Sequence, residues 1–419
     1  MSNDSMQSES ESGDSGAFGD PLVKDRTQTN EQTPPVYKFV LTGGPCAGKT
    51  TAMKHMRDFF SEKGFRVFTV PESATSMFTN GATLRDVDHP AGKYAFQWSI
   101  LRLQMEMEDS FERVARMCGK PSILLCDRGL MDGSVYMPSE MWDRLVEANG
   151  MDELTLQNGR YHGIFHLVTA AMGASDHYTL ENNEARSEPL ELAIEVDART
   201  EQAYLGHPRH FVFDNSTSFE AKIERVTRAA SRLAGLPSPS RRAGKFLLAQ
   251  PPPPVEDFPV EALVEFEAEK IATYTRHEIH ISTLGVQVFL RRPTVDDCAE
   301  ASLTHTGAVL APCVSSESFL EKRGRNGLFL YGITTFSTYE DGLVSEVTRP
   351  LSAVRYEKLI AERADSSRLR VRQRRVAFLW RSQAFELHTD VEPAFGVSVL
   401  YCRSEGGQLS LPTFLPVED

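Results

Sequence analysis

A glycine-rich bend between an apolar run and a helical run constrains this chain more than any other feature. Residues 36–42, VYKFVLT, predict a buried strand, and residues 49–61 predict a helix that ends before Gly64. Between them, residues 43–50 read GGPCAGKT, which fits G-x-x-x-x-G-K-[ST] in the strand-then-helix context that the pattern requires. Glycines let backbone N–H groups turn inward, and the following helix adds unpaired N–H groups and the positive end of its dipole. The bend is therefore predicted to bind phosphate groups.

The residues of this bend have separate predicted roles. Lys49 is expected to reach the β- and γ-phosphates of a nucleotide, and the Thr50 hydroxyl is expected to bind Mg²⁺. The sequence N-K-x-D, which reads guanine in Ras-like GTPases, is absent, so the choice between GTP and ATP stays open. Asn215, after the last strand of the same domain, either reads the base or caps the following helix. Nucleotide contact is predicted for Gly43, Gly44, Pro45, Cys46, Ala47, Gly48, Lys49, Thr50, Thr51 and Asn215.

Charged residues after two further predicted strands complete the candidate site. Asp127 ends the apolar run SILLCD and is expected to bind the metal or its water, with a helix cap as the alternative. Arg128 is expected to contact a phosphate or to pair with an acid. Glu72 follows FRVFTVP and is a general base for an acceptor hydroxyl, a contact to a second substrate, or a capping residue. All three are expected at one sheet edge, because ligands collect at the carboxyl ends of parallel strands.

A polar stretch at 173–191 lies where we expect a mobile lid over the site. Arg186 in this stretch and Arg199 in the next helix are candidates for stabilising phosphate charge. The alternative for each is a solvated arginine on a polar helix. Gln97, on a predicted helix over 94–118, is a candidate substrate contact.

The spacing of apolar runs predicts two folded domains after an acidic tail. Residues 1–34 are rich in Ser, Asp and Glu and are expected to be disordered. Short strands alternate with helices over 35–236, which predicts an α/β domain with a parallel sheet covered on both faces. After the linker AGLPSPSRRAG, residues 237–419 contain longer period-2 segments. These predict a mostly antiparallel β domain with one helix near 353–362 and an irregular insertion at 293–316.

Charge and cysteine content exclude several classes of protein. The net charge of −13 argues against a general nucleic-acid-binding protein, because phosphate backbones require a cationic surface. The six cysteines are scattered without CxxC pairs, which is typical of reduced thiols and not of a disulfide scaffold or a zinc site. No stretch resembles a secretory signal, and none has 18 uninterrupted apolar residues. The sequence thus predicts a cytoplasmic protein without a transmembrane segment.

Arginines recur at alternate positions in the β domain. Period-2 spacing places Glu321, Arg323 and Arg325 on one face of a strand and the four arginines of 368–374 on one face of a later strand. Four arginines in register would repel one another in a dry core, so their face is expected to meet water or an anion. Arginine suits bidentate contact with phosphate. The alternative is an exposed basic face with Glu partners. The predicted anion-binding set is Lys245, Arg323, Arg325, Arg349, Arg370, Arg372 and Arg374.

These segments together resemble a known family. FVLTGGPCAGKTT, VPESAT, LLCDRGLMDGSVYM and FVFDNSTSFEAKIERV resemble the NadR-type AAA/P-loop kinase-like domain of the TRPL translocation defect family of eukaryotic proteins. GKFLLA, ESFLEKRGRNGLFLYGITTF and RQRRVAFLWRSQAFELHTDVEP resemble that family's second domain, a CYTH-like barrel. The resemblance covers about 36–419. It implies a protein that favours guanine nucleotide, recognises anionic phospholipid at the membrane periphery and works in membrane-protein trafficking.

One departure from catalytic CYTH enzymes bears on the second domain. Their first strand reads E-x-E-x-K, whereas the corresponding positions here are Arg241, Ala243 and Lys245. Without clustered carboxylates, Mg²⁺ or Mn²⁺ has few ligands. We therefore expect this domain to bind a phosphorylated lipid headgroup or another phosphorylated ligand, and not to hydrolyse triphosphate.

Three functions remain open from the sequence. The first is a nucleotide-dependent binding module that hydrolyses GTP or ATP slowly and recognises anionic lipid. The second is a small-molecule kinase in which Glu72 activates the hydroxyl of a nucleoside or ribosyl cofactor. The third is a scaffold with a vestigial site, against which the intact Lys49–Thr50 pair argues.

Overall fold

The computed structural model describes residues 34–173, 190–239, 244–273, 313–393, 395–402 and 409–418. Its first half alternates strands with helices, as predicted. The elements are β1 (Val36–Thr42), α1 (Lys49–Glu62), β2 (Arg66–Val70), α2 (Ser73–Thr79), α3 (Pro90–Met117), β3 (Ser122–Asp127), α4 (Ser139–Ala148), α5 (Glu153–Asn158), β4 (Gly163–Leu167), α6 (Leu190–Gln202), β5 (His210–Phe213) and α7 (Phe219–Leu233), with 3₁₀ turns at Leu84–Val87 and Leu130–Tyr136.

Five parallel strands form the first sheet, in the order β2-β3-β1-β4-β5. Strand β1 lies between β3 and β4, with Leu41 opposite Asp127 on one side and Thr42 opposite His166 on the other. The chain leaves β1 toward one edge of the sheet and later crosses to the other edge at β4. A crevice for ligands is expected at the carboxyl end of β1, where the strand order reverses.

Two-sided burial explains why β1 is mostly apolar, although it includes the charged Lys38. Phe39 and Leu41 pack against α1 and α7 on one face of the sheet. Val40 packs on the opposite face, in a cluster with Leu101 of α3 and Trp142 of α4. Parallel strands covered by helices on both faces bury consecutive side chains and not alternate ones.

Nine antiparallel strands form the second sheet, in the order β6-β11-β10-β9-β8-β12-β13-β14-β7. One helix, α8, covers part of it by packing Tyr356 and Leu359 against Ile271 and Leu320. The elements are β6 (Ser238–Pro239), β7 (Gly244–Leu247), β8 (Leu263–Thr273), β9 (Cys313–Arg325), β10 (Leu328–Tyr339), β11 (Leu343–Leu351), α8 (Ala353–Arg363), β12 (Val371–Leu379), β13 (Ala384–Glu392) and β14 (Ser398–Cys402), with a 3₁₀ turn at Val255–Asp257.

Chain connectivity requires the second sheet to curl. Its two edge strands, β6 and β7, are consecutive in sequence, and only five peptide steps join Pro239 to Gly244. Five steps reach at most about 18 Å. A flat sheet of nine strands would separate its edges by about 38 Å. The sheet therefore bends until its edges approach one another.

Polar and apolar contacts join the two sheets. Arg323 on β9 donates through Nη2 to the carbonyl of Gly206 (2.9 Å), and Arg325 donates to Glu153 of α5 (2.9 Å). Leu205 packs in a small cluster with Phe266 and Ala377 of the second sheet. The segment after α6 thus lies at the junction between the sheets.

The fold class is confirmed, with local corrections. The sequence missed the short helices α2 and α5. Strand β9 begins at Cys313, so residues 313–316 belong to a strand and the prediction of an insertion through 316 was wrong there. The acidic tail, the rest of that insertion and most of the 173–191 stretch lie outside the described residues. The domain boundary at 236/237 stays a prediction.

Within the described ranges, no helix combines the length and the apolar character needed to cross a membrane.

Candidate phosphate-binding site

The loop between β1 and α1 has the backbone that its glycines suggested. Gly43 and Gly48 have φ angles of 129° and 91°, in the region that favours glycine. Other segments of the same chain also lie close to both glycines. A Cβ on Gly43 would lie 2.0 Å from the carbonyl oxygen of Leu167, and one on Gly48 would lie 2.4 Å from the ring of Phe219. Both positions therefore require glycine for conformation and for space.

Lys49 is held inside its own loop. Its Nζ donates to the carbonyl oxygens of Gly43 and Gly44, each at 2.9 Å, and the side chain is buried. Burial, and next the charge of Arg128, lower the pKa of Lys49 to about 8, against the opposing effect of Asp127, Glu72 and Asp132. A phosphate anion could therefore replace these two neutral carbonyl oxygens as the hydrogen-bond acceptor of the ammonium group.

Asp127 has an oxygen that the protein does not satisfy. It ends β3 beside Leu41, and its Oδ1 is buried with no hydrogen-bond partner among the described residues. Burial raises its pKa, although Lys49 opposes the shift. The carboxylate oxygen of Asp127 and the exposed hydroxyl of Thr50 are both oxygen donors of the kind that Mg²⁺ prefers.

Glu72 and Arg128 are paired at the same sheet edge. Arg128 Nε donates to Glu72 Oε1 at 2.7 Å, and Thr75 donates to Glu72 Oε2 at 2.7 Å. Burial disfavours the ionised form of Glu72, but the charge of Arg128 and the Thr75 hydrogen bond outweigh burial, and its pKa is lowered. The carboxylate is therefore charged at neutral pH.

Asp132 holds this pair in place, and sequence reasoning missed it. Its Oδ1 accepts hydrogen bonds from Thr42 (2.6 Å) and Arg128 (2.9 Å), while its Oδ2 accepts from the Gly129 backbone N–H (2.9 Å) and the Tyr204 hydroxyl (2.7 Å). Arg128 and Gly129 are close in sequence, whereas Thr42 and Tyr204 come from distant parts of the chain. The only local signal is an acidic residue four positions after Arg128, in DRGLMD.

Asp197 of α6 accepts backbone hydrogen bonds that hold the phosphate loop in place. Sequence reasoning missed this residue too. Its Oδ1 accepts the backbone N–H of Gly44, and of Thr169 at 3.2 Å, and it lies 3.4 Å from His166 Nε2. Burial opposes ionisation of Asp197, but His166 dominates and the pKa of the carboxyl is lowered. Burial likewise opposes protonation of His166, yet the charge of Asp197 raises its pKa. Asp197 and His166 are thus buried together beneath the phosphate loop, and each favours the charged form of the other.

Asn215 ties the loop after β4 in place. Its Nδ2 donates to the carbonyls of Thr169 (2.8 Å) and Met172 (2.6 Å), and its Oδ1 accepts from Lys222 (2.8 Å). Lys222 is itself buried and also donates to Val168 O at 2.7 Å. The Asn215 amide is therefore engaged by backbone and by Lys222. Its role in reading the base stays a prediction.

The structure describes two of the three remaining candidate residues. Arg199 is exposed on α6, and Gln97 is buried on α3. Arg186 lies outside the described residues. The functional roles of all three stay predictions.

Some of the predicted anion-binding residues are exposed at the surface, and others are buried or paired at the junction between the sheets. Arg372 and Arg374 lie on an exposed face, paired with Glu392 (3.4 Å) and Glu265 (2.5 Å), and Arg370 precedes β12 at the surface. Arg323 is buried and Arg325 contacts Glu153. Lys245 and Arg349 are exposed.

The most buried arginine of the second sheet is one that the sequence did not single out. Arg375 lies 2.8 Å from Glu321 and 3.5 Å from Glu386, while Arg323 binds Glu386 at 2.7 Å. The reason is the period-2 alternation, which turns residues 371, 373 and 375 to the face opposite Arg372 and Arg374. The charges of the buried Arg323 and Arg375 are therefore balanced by the carboxylates of Glu386 and Glu321.

Comparison with known proteins agrees with this geometry for the first half of the chain. Residues 38–222 match the family model described as an AAA domain. No curated protein matches the chain. The first half is thus a P-loop domain, a kind of domain that binds nucleotide, usually with Mg²⁺. The CYTH-like domain and the wider TRPL translocation defect resemblance stay predictions.

Proposed function

We propose that this protein binds a purine nucleoside triphosphate with Mg²⁺, hydrolyses it slowly, and couples the bound state to recognition of anionic phospholipid by its β-sheet domain. The observation that carries the nucleotide part is that the buried Lys49 ammonium group, bonded to the loop carbonyls, lies within electrostatic range of the carboxylate of Asp127, whose Oδ1 has no partner among the described residues. Guanine nucleotide is favoured over ATP on the strength of the family resemblance alone.

The metal is assigned to oxygen donors of this chain. Thr50 and Asp127 would hold Mg²⁺, with phosphate oxygens and water completing its shell. When bound, Mg²⁺ neutralises phosphate charge and makes the γ-phosphorus more electrophilic. The protein's own contribution is to hold the triphosphate against the loop N–H groups and Lys49.

A strap from Asp197 to Gly206 supports coupling between nucleotide and the β-sheet domain. It carries Asp197, which accepts the Gly44 N–H, and Tyr204, which donates to Asp132 at 2.7 Å. It ends at Gly206, whose carbonyl accepts from Arg323 at 2.9 Å. A shift of the loop on nucleotide binding therefore acts directly on a segment that is hydrogen-bonded to the second sheet.

An exposed corner of the second sheet supports the lipid part. The start of β12 and the β13–β14 turn lie at one end of adjacent strands. Leu369 is 71% exposed and Phe395 is 77% exposed, and Arg370 is exposed beside Leu369. Apolar side chains flanked by arginine suit the interface of an anionic bilayer. The proposal includes a peripheral membrane location, which this corner supports, and a role in membrane-protein trafficking, which rests on the family resemblance alone.

Two experiments test the two parts separately. Calorimetry with GTP and ATP should show binding that Lys49→Ala abolishes, and unchanged affinity in that variant would contradict the nucleotide site. Sedimentation with phosphatidylserine-containing vesicles should show binding that the double variant Arg370→Ala/Leu369→Ser weakens at least fivefold. The Arg355→Ala variant on α8 is the matched control, and equal binding by all three proteins would remove the lipid proposal.

A second candidate, a small-molecule kinase, is favoured by the Glu72–Arg128 pair. Glu72 is ionised and lies in electrostatic range of Lys49, where an acceptor hydroxyl would need a base. The acceptor oxygen would form a bond to the γ-phosphorus while its proton passes to Glu72. The bond from that phosphorus to the β–γ bridging oxygen would break, and the nucleoside diphosphate would leave.

Transfer of label from γ-labelled nucleotide distinguishes these functions. In a kinase, label appears on an acceptor, and Glu72→Gln lowers the rate at least 100-fold with little change in nucleotide affinity. In a binding module, label appears as inorganic phosphate and added acceptors do not change the rate.

A further inference from the structure

A groove lies between the helices α4 and α5 on one side and the β9–β10 hairpin on the other. We call it the α4–hairpin groove, and its volume is about 270 Å³. One wall is the face of α4 that carries Asp143, Val146 and Glu147. The opposite wall is the turn of the hairpin, with Asn326 and Leu328. A molecule in this groove would therefore contact both halves of the chain at once.

The lining of the α4–hairpin groove is acidic. Four carboxylates and one guanidinium group line it within the described part of the chain. Asp152 is engaged as the cap of α5, because it accepts the Thr155 backbone N–H at 2.8 Å. Glu153 is engaged as well, because it accepts from Arg325 at 2.9 Å. The guanidinium group is thus paired within the protein, which leaves two carboxylates for a ligand.

These two carboxylates are Asp143 and Glu147. Both residues are exposed, and neither has a hydrogen bond or an ion pair with any residue that the structure describes. They lie four positions apart on α4, which is about 6 Å along the helix axis, so their like charges repel each other. A ligand that brings positive charge to both would relieve this repulsion. Charge complementarity therefore favours a cationic occupant, and the same charges repel nucleic acid and an anionic bilayer.

Apolar side chains lie beside this acidic pair. Leu328 is 49% exposed where β10 begins, and Met151 is partly buried between α4 and α5. Methionine adapts its shape to irregular ligands and is common at surfaces that bind amphipathic segments. A free metal ion would use the carboxylates and leave these apolar side chains without a role. Amphipathic helices, in contrast, place an apolar face in a groove and their charges at its rim.

We propose that the α4–hairpin groove binds a basic amphipathic helix of a partner protein. Two cations of that helix, four positions apart, match the separation of about 6 Å between Asp143 and Glu147. An apolar side chain on the same face of the partner helix contacts Met151 and Leu328. The groove shares no residue with the phosphate loop or with the exposed corner of the second sheet, so this proposal is independent of the nucleotide and lipid functions.

Fluorescence anisotropy with the full chain and a labelled helical peptide tests the proposal. The peptide carries two lysines four positions apart and a leucine between them on the same face. The comparison peptide has glutamate in place of each lysine. The lysine peptide should bind, its affinity should fall as the salt concentration rises, and the glutamate peptide should not bind. Absence of binding by the lysine peptide, or equal binding of both peptides, overturns the proposal.

Three variants locate the binding site on the protein. Asp143→Asn/Glu147→Gln removes both free charges, keeps the shapes of the side chains, and should weaken binding of the lysine peptide about fivefold. Leu328→Ser should also weaken it about fivefold, through lost apolar contact. Glu220→Gln/Glu224→Gln is the matched control, because it removes two exposed carboxylates with the same spacing from α7. The control variant should bind the peptide like the natural protein.

The variants also provide the results that would contradict the proposal. It is overturned if the α7 control loses as much affinity as the α4 double variant, because the peptide would then respond only to the net charge of −13. It is also overturned if Leu328→Ser binds the peptide as before. Sedimentation equilibrium tests a second copy of this chain as the occupant. A dimer of the natural protein that Asp143→Asn/Glu147→Gln dissociates would overturn the assignment to a partner protein. Thermal unfolding should show the α4 double variant to be at least as stable as the natural protein, because the substitution removes a repulsion.

Discussion

The carboxylate of Asp197, on α6, accepts the backbone N–H of Gly44 in the phosphate loop. The two residues are 153 positions apart, and the carboxylate is 1% exposed. Gly44 leaves no room for a side chain, since a Cβ would lie 2.8 Å from Asp197 Oδ1. The loop is therefore shaped by its own glycines and, equally, by a helix that reaches it only in the folded chain.

Removing the Asp197 carboxylate should weaken nucleotide binding. Asp197→Ala leaves the N–H groups of Gly44 and Thr169 buried without an acceptor, at about 1–3 kcal/mol each. We expect at least a tenfold loss of triphosphate affinity and a lower melting temperature. Asp197→Asn keeps one acceptor oxygen, so its triphosphate affinity and its melting temperature should lie between those of Asp197→Ala and those of the natural protein. Calorimetry and thermal unfolding check this, and full affinity in Asp197→Ala would contradict the bracing role.

Nucleotide binding should take up a proton at alkaline pH. Burial and Arg128 lower the pKa of Lys49 to about 8 in the free protein, and a bound triphosphate favours its charged form. Above pH 8, affinity should fall up to tenfold per pH unit, because binding must first protonate Lys49. Titrations at pH 7.5 and 9.5 in two buffers of different ionisation enthalpy measure the uptake. Lys49→Arg remains charged, so equal proton uptake in that variant would exclude Lys49 as the source.

The buried carboxyl of Glu201 should make stability fall as pH rises. Burial raises its pKa to about 7, against the effect of His166. Between about pH 4.5 and 7 the unfolded chain releases this proton while the folded chain retains it, so the free energy of unfolding decreases in that window. Glu201→Gln should match the natural protein at pH 5 and be more stable at pH 8, by on the order of 3 kcal/mol at most. Thermal unfolding at both pH values tests this, with the exposed Glu195→Gln as control.

Two arginines of the second sheet should differ in their effect on stability. Arg323 binds Glu386 and the carbonyl of Gly206 while buried, so Arg323→Ala leaves a buried carboxylate and a carbonyl without this donor. We expect a loss of about 3–5 kcal/mol. Arg372 pairs with Glu392 at the surface, and Arg372→Ala should change stability by less than about 1 kcal/mol. Equal melting temperatures for the two variants would contradict the assignment of Arg323 to the junction.

Much of the fold could be predicted because its signals are local. The apolar run of β1 and the glycines of the loop are read within a few residues, and the structure places strand and helix at Val36–Thr42 and Lys49–Glu62. The turn of the β9–β10 hairpin, Asn326-Gly327, is equally local. The short helices α2 and α5 were missed because seven and six residues carry too little periodicity to distinguish a helix from a loop.

The sequence by itself determined that this chain has a phosphate-binding loop, and that Glu72, Asp127 and Arg128 end neighbouring strands beside it. Only the tertiary structure decided which charges meet: Arg128 with Glu72 and Asp132, Asp197 with the loop, and Arg375 with Glu321. The physical reason is that glycine conformation and strand periodicity act over a few residues, whereas the cost of burying a charge is met by whichever partner the fold brings within hydrogen-bond distance. Apart from Asp132, which follows Arg128 by four positions, those partners lie up to 153 residues away, and no spacing rule connects them.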